Sequence, residues 1–187
     1  MDQPLKKIVV FIDWYLPGYK AGGPIRSCAS LVERMSPFFH FKIVTGDTDL
    51  NETIPYKGIQ SDTWNMLPDG TEVFYCSKRF RNLKNIENLL LEEKPDILYL
   101  NSMFSLYFTM FPLWAIRKNN PDCKVIVAPR GMLSKGALAL KSLKKKLFLF
   151  SAKTFNLFGN VTFHAPTEIE VEEITSVFGN RNRIMHA

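Results

Sequence analysis

The chain has 187 residues, 46% hydrophobic and 22% charged. That balance argues against disorder and leaves room for one domain with a sizeable core. No apolar run approaches the roughly 20 residues needed to span a bilayer, and the stretch Ile8 to Ile12 behind Lys6 and Lys7 is too short for a signal peptide. The formal net charge of +6 suits anionic sugar phosphates, an anionic membrane or nucleic acid and does not choose among them.

In chain order, Lys7 to Ile12 is a short β-branched run with nearly continuous apolar character, as expected of a strand buried on both faces. Similar runs recur at Phe41–Thr45, Glu72–Cys76, Asp96–Asn101, Lys124–Ala128 and Val161–His164. Helical spacing lies between them: Ile25, Ala29, Val32 and Met35 share one face, and Ile86, Leu89, Leu90 and Glu93 another. Leu106 to Arg117, Ser134 to Phe155 and Glu168 to Phe178 give three more predicted helices. Gly46 to Gly70 breaks the rhythm with Pro55, Gly58, Pro68 and Asp69-Gly70, and reads as a long excursion turning into the Glu72 strand. Strands alternating with helices imply an α/β fold: a Rossmann-like, open, mostly parallel sheet with helices on both faces.

Such sheets bind ligands beyond the carboxyl ends of their strands. Behind the first strand, Gly22-Gly23-Pro24 opens a helix, an arrangement that lets backbone amides approach an anion, although an ordinary strand-to-helix turn looks the same. It is neither GxGxxG nor a Walker loop. Behind the fifth strand, Arg130 is a permanently charged forked donor suited to phosphate, and Ser134 can cap the next helix. His164 ends the sixth strand, where a structural role competes with a catalytic one; His40 and His186 have weaker claims. Cys28, Cys76 and Cys123 form no CxxC pair or Cys/His cluster, so free thiols in a reducing compartment are expected, with no metal site. Lys141, Lys144, Lys145, Lys146 and Lys153 lie among leucines and phenylalanines. That pattern fits a helix lying on anionic lipid as well as a core helix with a solvated lysine face. No nucleic-acid motif accompanies the charge.

Three segments, Gly22-Gly23-Pro24-Ile25-Arg26-Ser27, Pro129-Arg130-Gly131-Met132-Leu133-Ser134 and His164-Ala165-Pro166-Thr167-Glu168-Ile169-Glu170, together resemble the N-terminal domain of retaining glycosyltransferases of family 4, also called group 1. The resemblance covers nearly the whole chain and implies one half of a GT-B fold, in which two Rossmann-like domains face each other across a cleft. Residues 1–187 would be the single acceptor-side domain, with the donor-binding domain absent from this chain. Gly22 and Gly23 would approach the donor phosphates. Tyr19, Lys20, Arg26, Asn101, Ser102, Gly131, Met132 and Ser134 would line the acceptor side, and Arg130 and His164 would be the catalytic candidates.

The implied reaction moves a sugar from a nucleotide-sugar donor, a co-substrate and not a cofactor, to a glycan or lipid-linked acceptor, with retention and without a metal. Arg130 stands where many relatives carry histidine, and Asn101-Ser102-Met103 where relatives often show histidines. Both departures favour electrostatic stabilisation of the departing phosphate over histidine-assisted catalysis. The domain alone is expected to have little transfer activity, since an isolated half cannot orient both substrates. A non-catalytic partner module of GT-B type, or another GT-B enzyme such as a nucleotide-sugar epimerase, are the competing readings. Cytoplasmic residence is expected, with peripheral contact at the inner membrane face through Lys141, Lys144, Lys145 and Lys146 as an open reading.

Overall fold

In the computed structural model, residues 4–140 and 142–186 are described. The first strand, β1 (Lys6–Phe11), shows why the sheet forms. Val9 and Phe11 enter one apolar cluster while Ile8 and Val10 enter another, so successive side chains are buried on opposite faces. The remaining strands are β2 (Phe39–Gly46), β3 (Trp64–Met66), β4 (Glu72–Cys76), β5 (Ile97–Leu100), β6 (Lys124–Val127), β7 (Thr162–Ala165) and β8 (Arg183–His186), in the order β3-β4-β2-β1-β5-β6-β7-β8. All neighbours pair in parallel except β3 and β4. The chain runs outward from β1 through β2 to β4, then returns to β5 on the other side of β1. The topological switch point of this Rossmann-like sheet therefore lies between β1 and β5.

Helix α1 (Gly23–Met35) covers one face, burying Cys28 and Val32 with Tyr15, Tyr75 and Tyr99. Against the other face pack α2 (Leu83–Glu93), α3 (Phe111–Asn119), the pair α4 (Lys135–Ala139) and α5 (Ser142–Thr154), and α6 (Glu168–Phe178). The six predicted strands are all present. β3 and β8 were not anticipated, because each is a short, partly exposed edge strand with little apolar signal: Trp64-Asn65-Met66 and Arg183-Ile184-Met185-His186. The turn expected at Asp69-Gly70 closes the β3–β4 hairpin, with Gly70 at φ +84° and its N–H on the Leu67 carbonyl at 2.9 Å.

Two predicted helices are subdivided. Pro112 lacks an N–H, and the segment before it, Leu106–Met110, winds as a π-helical turn before α3 begins. The stretch Ser134–Phe155 is two helices and not one, because Leu140 is extended (φ −71°, ψ 123°) behind α4. The Lys145 ammonium donates to the Ala137 carbonyl, one of the acceptors a helix end leaves without an intrahelical donor. Lys145 is thus turned inward, 5.3 Å from the Phe104 ring centroid, and does not join a solvated lysine face. Lys141 lies outside the described residues.

At the end where the strands begin, two lysines are paired with acids. Lys42 is buried over Trp64 and sits 2.7 Å from Glu93 and 3.3 Å from Glu72; Lys7 reaches Glu93 at 3.3 Å. Lys7, Lys42, Glu72 and Glu93 thus form an ion-pair network at that end.

Candidate functional site

The opposite end, where the strands finish, is built differently. Gly22 caps α1 with φ +68°, a left-handed conformation that favours glycine, and a side chain at Gly22 or Gly23 would point into open space. No side chain caps this helix and its first turn holds no acid, so the positive end of its dipole is unneutralised there. Arg130 also has positive φ, at +54°, followed by Gly131 at +70°. The turn is held by Glu170, a buried acid in the first turn of α6, which accepts the Gly131 N–H at 2.8 Å.

From this turn the guanidinium reaches back over the sheet. Arg130 Nε donates to Asn101 Oδ1 at 2.7 Å, and its Nη2 donates to the Tyr99 hydroxyl at 3.1 Å. Tyr99 Oη lies 2.6 Å from His164 Nδ1. Because Tyr99 accepts from Arg130, its own proton is left for Nδ1, which assigns His164 the tautomer protonated at Nε2. Burial pushes the His164 pKa down, with the Arg130 charge adding to the effect, so the ring is neutral near pH 7. Burial likewise keeps the Tyr99 phenol protonated, and the Cys28 thiol beside Arg130 is pushed up to about 12. The one fixed charge of the Arg130–Tyr99–His164 chain is the arginine.

Beside it runs a furrow of about 620 Å³ along α1, lined by Gly23, Arg26, Ser30, Arg34, Arg130 and His164 among others. Eight residues separate Arg26 from Arg34, so the furrow follows the helix for about 12 Å. Seven ion pairs occur among the described residues, and none includes Arg26, Arg34 or Arg130. Three arginines thus face one groove without a carboxylate partner.

The structure brings together Gly22, Gly23, Arg26, Asn101, Arg130, Gly131 and His164 at or beside this groove. Asn101 is buried, and its Nδ2 has no hydrogen-bond partner among the described residues. The other candidates have separate tasks. Ser102 is buried and its hydroxyl lies 3.8 Å from the Met132 sulfur; Met132 packs against the core. Ser134 caps α4 by accepting the Ala137 N–H at 3.2 Å. Tyr19 and Lys20 are tied to the excursion after β2: both backbone amides donate to Asp49 Oδ2, and the Lys20 ammonium pairs with Glu52.

Sequence reading missed four contributors. Tyr99 and Glu170 connect the parts, Arg34 extends the groove by two helical turns, and Asp13 sits just behind β1, at the switch point. Asp13 Oδ1 accepts from Ser105 Oγ at 2.7 Å. Desolvation raises the Asp13 pKa above the usual carboxylate range, against the opposing pull of hydrogen bonds from Ser105 and Ser102. Its position directly after the first strand was the available signal.

No protein-family model matches the chain, and no curated protein matches it. Among solved structures, the chain is similar to dTDP-glucose 4,6-dehydratase from Bacillus anthracis in complex with NAD, with a TM-score of 0.45 and 14% sequence identity. The match covers 85% of this chain and 54% of the dehydratase, so the chain spans about half the length of that protein.

Proposed function

We propose that the chain is the acceptor-binding half of a retaining glycosyltransferase that moves a sugar from a nucleotide-sugar donor to a glycan or lipid-linked acceptor. The observation that carries this reading is the groove along α1, where Arg26, Arg34 and Arg130 stand without carboxylate partners among the described residues. Unpaired arginines lining a concavity suit phosphate or carboxylate, which they grip in a bidentate manner. In this reading Arg130 stabilises charge developing on the departing phosphate and moves no proton, since guanidinium does not titrate near neutrality. Gly22 and Gly23 present backbone N–H groups and a helix start to the same anion. His164, neutral and with Nδ1 engaged by Tyr99, offers a hydrogen bond from Nε2.

Ligand-observed NMR of the chain against nucleotide sugars, nucleoside diphosphates and short phosphorylated or carboxylated glycans tests this. Glycan binding stronger than nucleotide binding is expected, with Arg130→Met weakening the residual nucleotide binding about tenfold, the loss of one charge-assisted pair. Binding that is unchanged in Arg130→Met, or a nucleotide held tightly by a variant with both Gly22 and Gly23 replaced, overturns the assignment.

A further inference from the structure

Helix α5 is apolar on two opposite faces, and the described chain buries only one of them. Inward, Leu149 and Ala152 are buried, and Phe148 packs edge-to-face against Phe104 and Phe158. Outward, Leu143, Leu147 and Phe150 follow each other at i, i+4 and i+7 and are 80%, 65% and 69% exposed. Leu140, extended ahead of the helix, and Phe155, just behind it, are exposed as well. At 3.6 residues per turn, Lys144 flanks this outer stripe on one side, and Lys146 and Lys153 flank it on the other; all three are exposed. No Asp or Glu occurs between Asp122 and Glu168, a stretch with eight Lys and Arg residues.

We infer that the outer face of α5 docks on an anionic lipid surface. A large apolar stripe left in water is unfavourable. What covers it must accept leucine and phenylalanine at its centre and cations along both edges. The acyl and headgroup boundary of an anionic bilayer has that layered chemistry: hydrocarbon beneath, phosphate at the rim. A second copy of the chain does not, since pairing two such faces would set lysine rows against each other with no acid between residues 122 and 168 to offset them. Among the described residues no helix is long and apolar enough to cross a membrane, so the contact is one of lying on the surface. Because Lys145 is used internally, Lys144, Lys146 and Lys153 supply the described cations. Lipid binding through this face is independent of whether the groove along α1 holds a sugar phosphate.

Vesicle flotation of the full chain tests the assignment, with phosphatidylglycerol mixed into phosphatidylcholine in one set and phosphatidylcholine alone in the other. Flotation with the anionic set only is expected. Each lysine near such a surface contributes roughly a factor of five, so the Lys144→Glu, Lys146→Glu, Lys153→Glu triple variant should lose partitioning by roughly a hundredfold. Leu147→Ser with Phe150→Ser should lose it comparably, while circular dichroism shows both variants folded. The charge-matched control is Lys57→Glu, Lys78→Glu, Lys84→Glu, which alters exposed lysines elsewhere and should stay within a few-fold of the parent, because distant charges are screened. Equal loss in the control would reduce the effect to net charge and overturn the proposal. So would unchanged binding in the Leu147→Ser, Phe150→Ser variant. A parent dimer that this variant converts to monomer, with no lipid binding by either, would assign the face to a second copy instead.

Discussion

The groove along α1 and the outer face of α5 depart from ordinary globular design in opposite ways. At the groove, polar groups are drawn inward: Tyr99, Asn101, His164 and Glu170 are buried and joined to Arg130 and Gly131 by hydrogen bonds. On α5, apolar groups are pushed outward, and Leu143, Leu147 and Phe150 stand in solvent. A buried polar group is costly unless it is satisfied, and the hydrogen bonds of this network let its members support one another, with Asn101 Nδ2 left unpartnered among the described residues. Exposed apolar groups need no partner to remain folded, so the α5 stripe is independent of the rest of the core. A charge-presenting site needs the first arrangement; a surface that attaches reversibly needs the second.

The sharpest way to break that contrast is Tyr99→Phe. Deleting one hydroxyl removes a hydrogen bond from both Arg130 and His164 without changing the ring's volume. We expect a loss of about 1–3 kcal/mol in denaturant-induced unfolding, since two groups lose their shared partner at once. A loss near zero would mean that water replaces the hydroxyl and that the network is less closed than its distances imply.

A smaller effect follows from acid. The His164 pKa in the folded chain lies below its ordinary value of 6.5, so the unfolded chain holds that proton more tightly. The stability contributed by neutral His164 is complete above 6.5 and is lost as the pH falls below it. Arg130 and Tyr99 face the ring, and the arginine charge strengthens the dependence. Asp13, with its pKa raised, acts in the opposite sense at lower pH: its folded form binds the proton more tightly, so its contribution favours stability as acid is added. Subtracting the unfolding curves of His164→Gln from those of the parent between about pH 7.5 and about pH 5 isolates the histidine. The variant should lose less stability than the parent across that range, and parallel curves would assign the acid sensitivity elsewhere.

The smallest effect belongs to α5. Leu143→Ser or Leu147→Ser should change stability by no more than about 0.5 kcal/mol in either direction, as for a surface site with no packing partner. The buried Leu149→Ala, on the same helix, should lose about 2–5 kcal/mol. Similar losses at the inner and outer positions would show that the stripe is covered within the protein.

The sheet was legible because β1 and its central neighbours are apolar on both faces, a pattern short enough to exclude helix and too apolar for a surface strand. β8 and β3 escaped notice because edge strands carry little of that pattern. At the groove, the glycine pair and Arg130 were visible as strand-end residues, since position alone marks them. Tyr99 was not, because a tyrosine inside an apolar strand reads as core until the sheet brings β7 close enough to set His164 beside it. Glu170 was visible only as the last residue of the third segment, and its task, holding Gly131 across a sequence separation of 39, is a tertiary fact that no local spacing encodes. The lysine-rich helix left lipid and core as equal readings. The fold separates them by residue, with Lys145 inside and Lys144, Lys146 and Lys153 outside.

The left-handed backbone at Arg130 has a consequence of its own. An L-residue at φ +54° is strained by about 1–2 kcal/mol relative to its usual conformation, and glycine would relieve that strain. The chain carries arginine there, so its guanidinium is already raised over the groove by the fold before any ligand arrives, and association demands little further reorganisation of that side chain. Selection for a more stable chain and selection for a more receptive groove therefore pull in opposite directions at this single position.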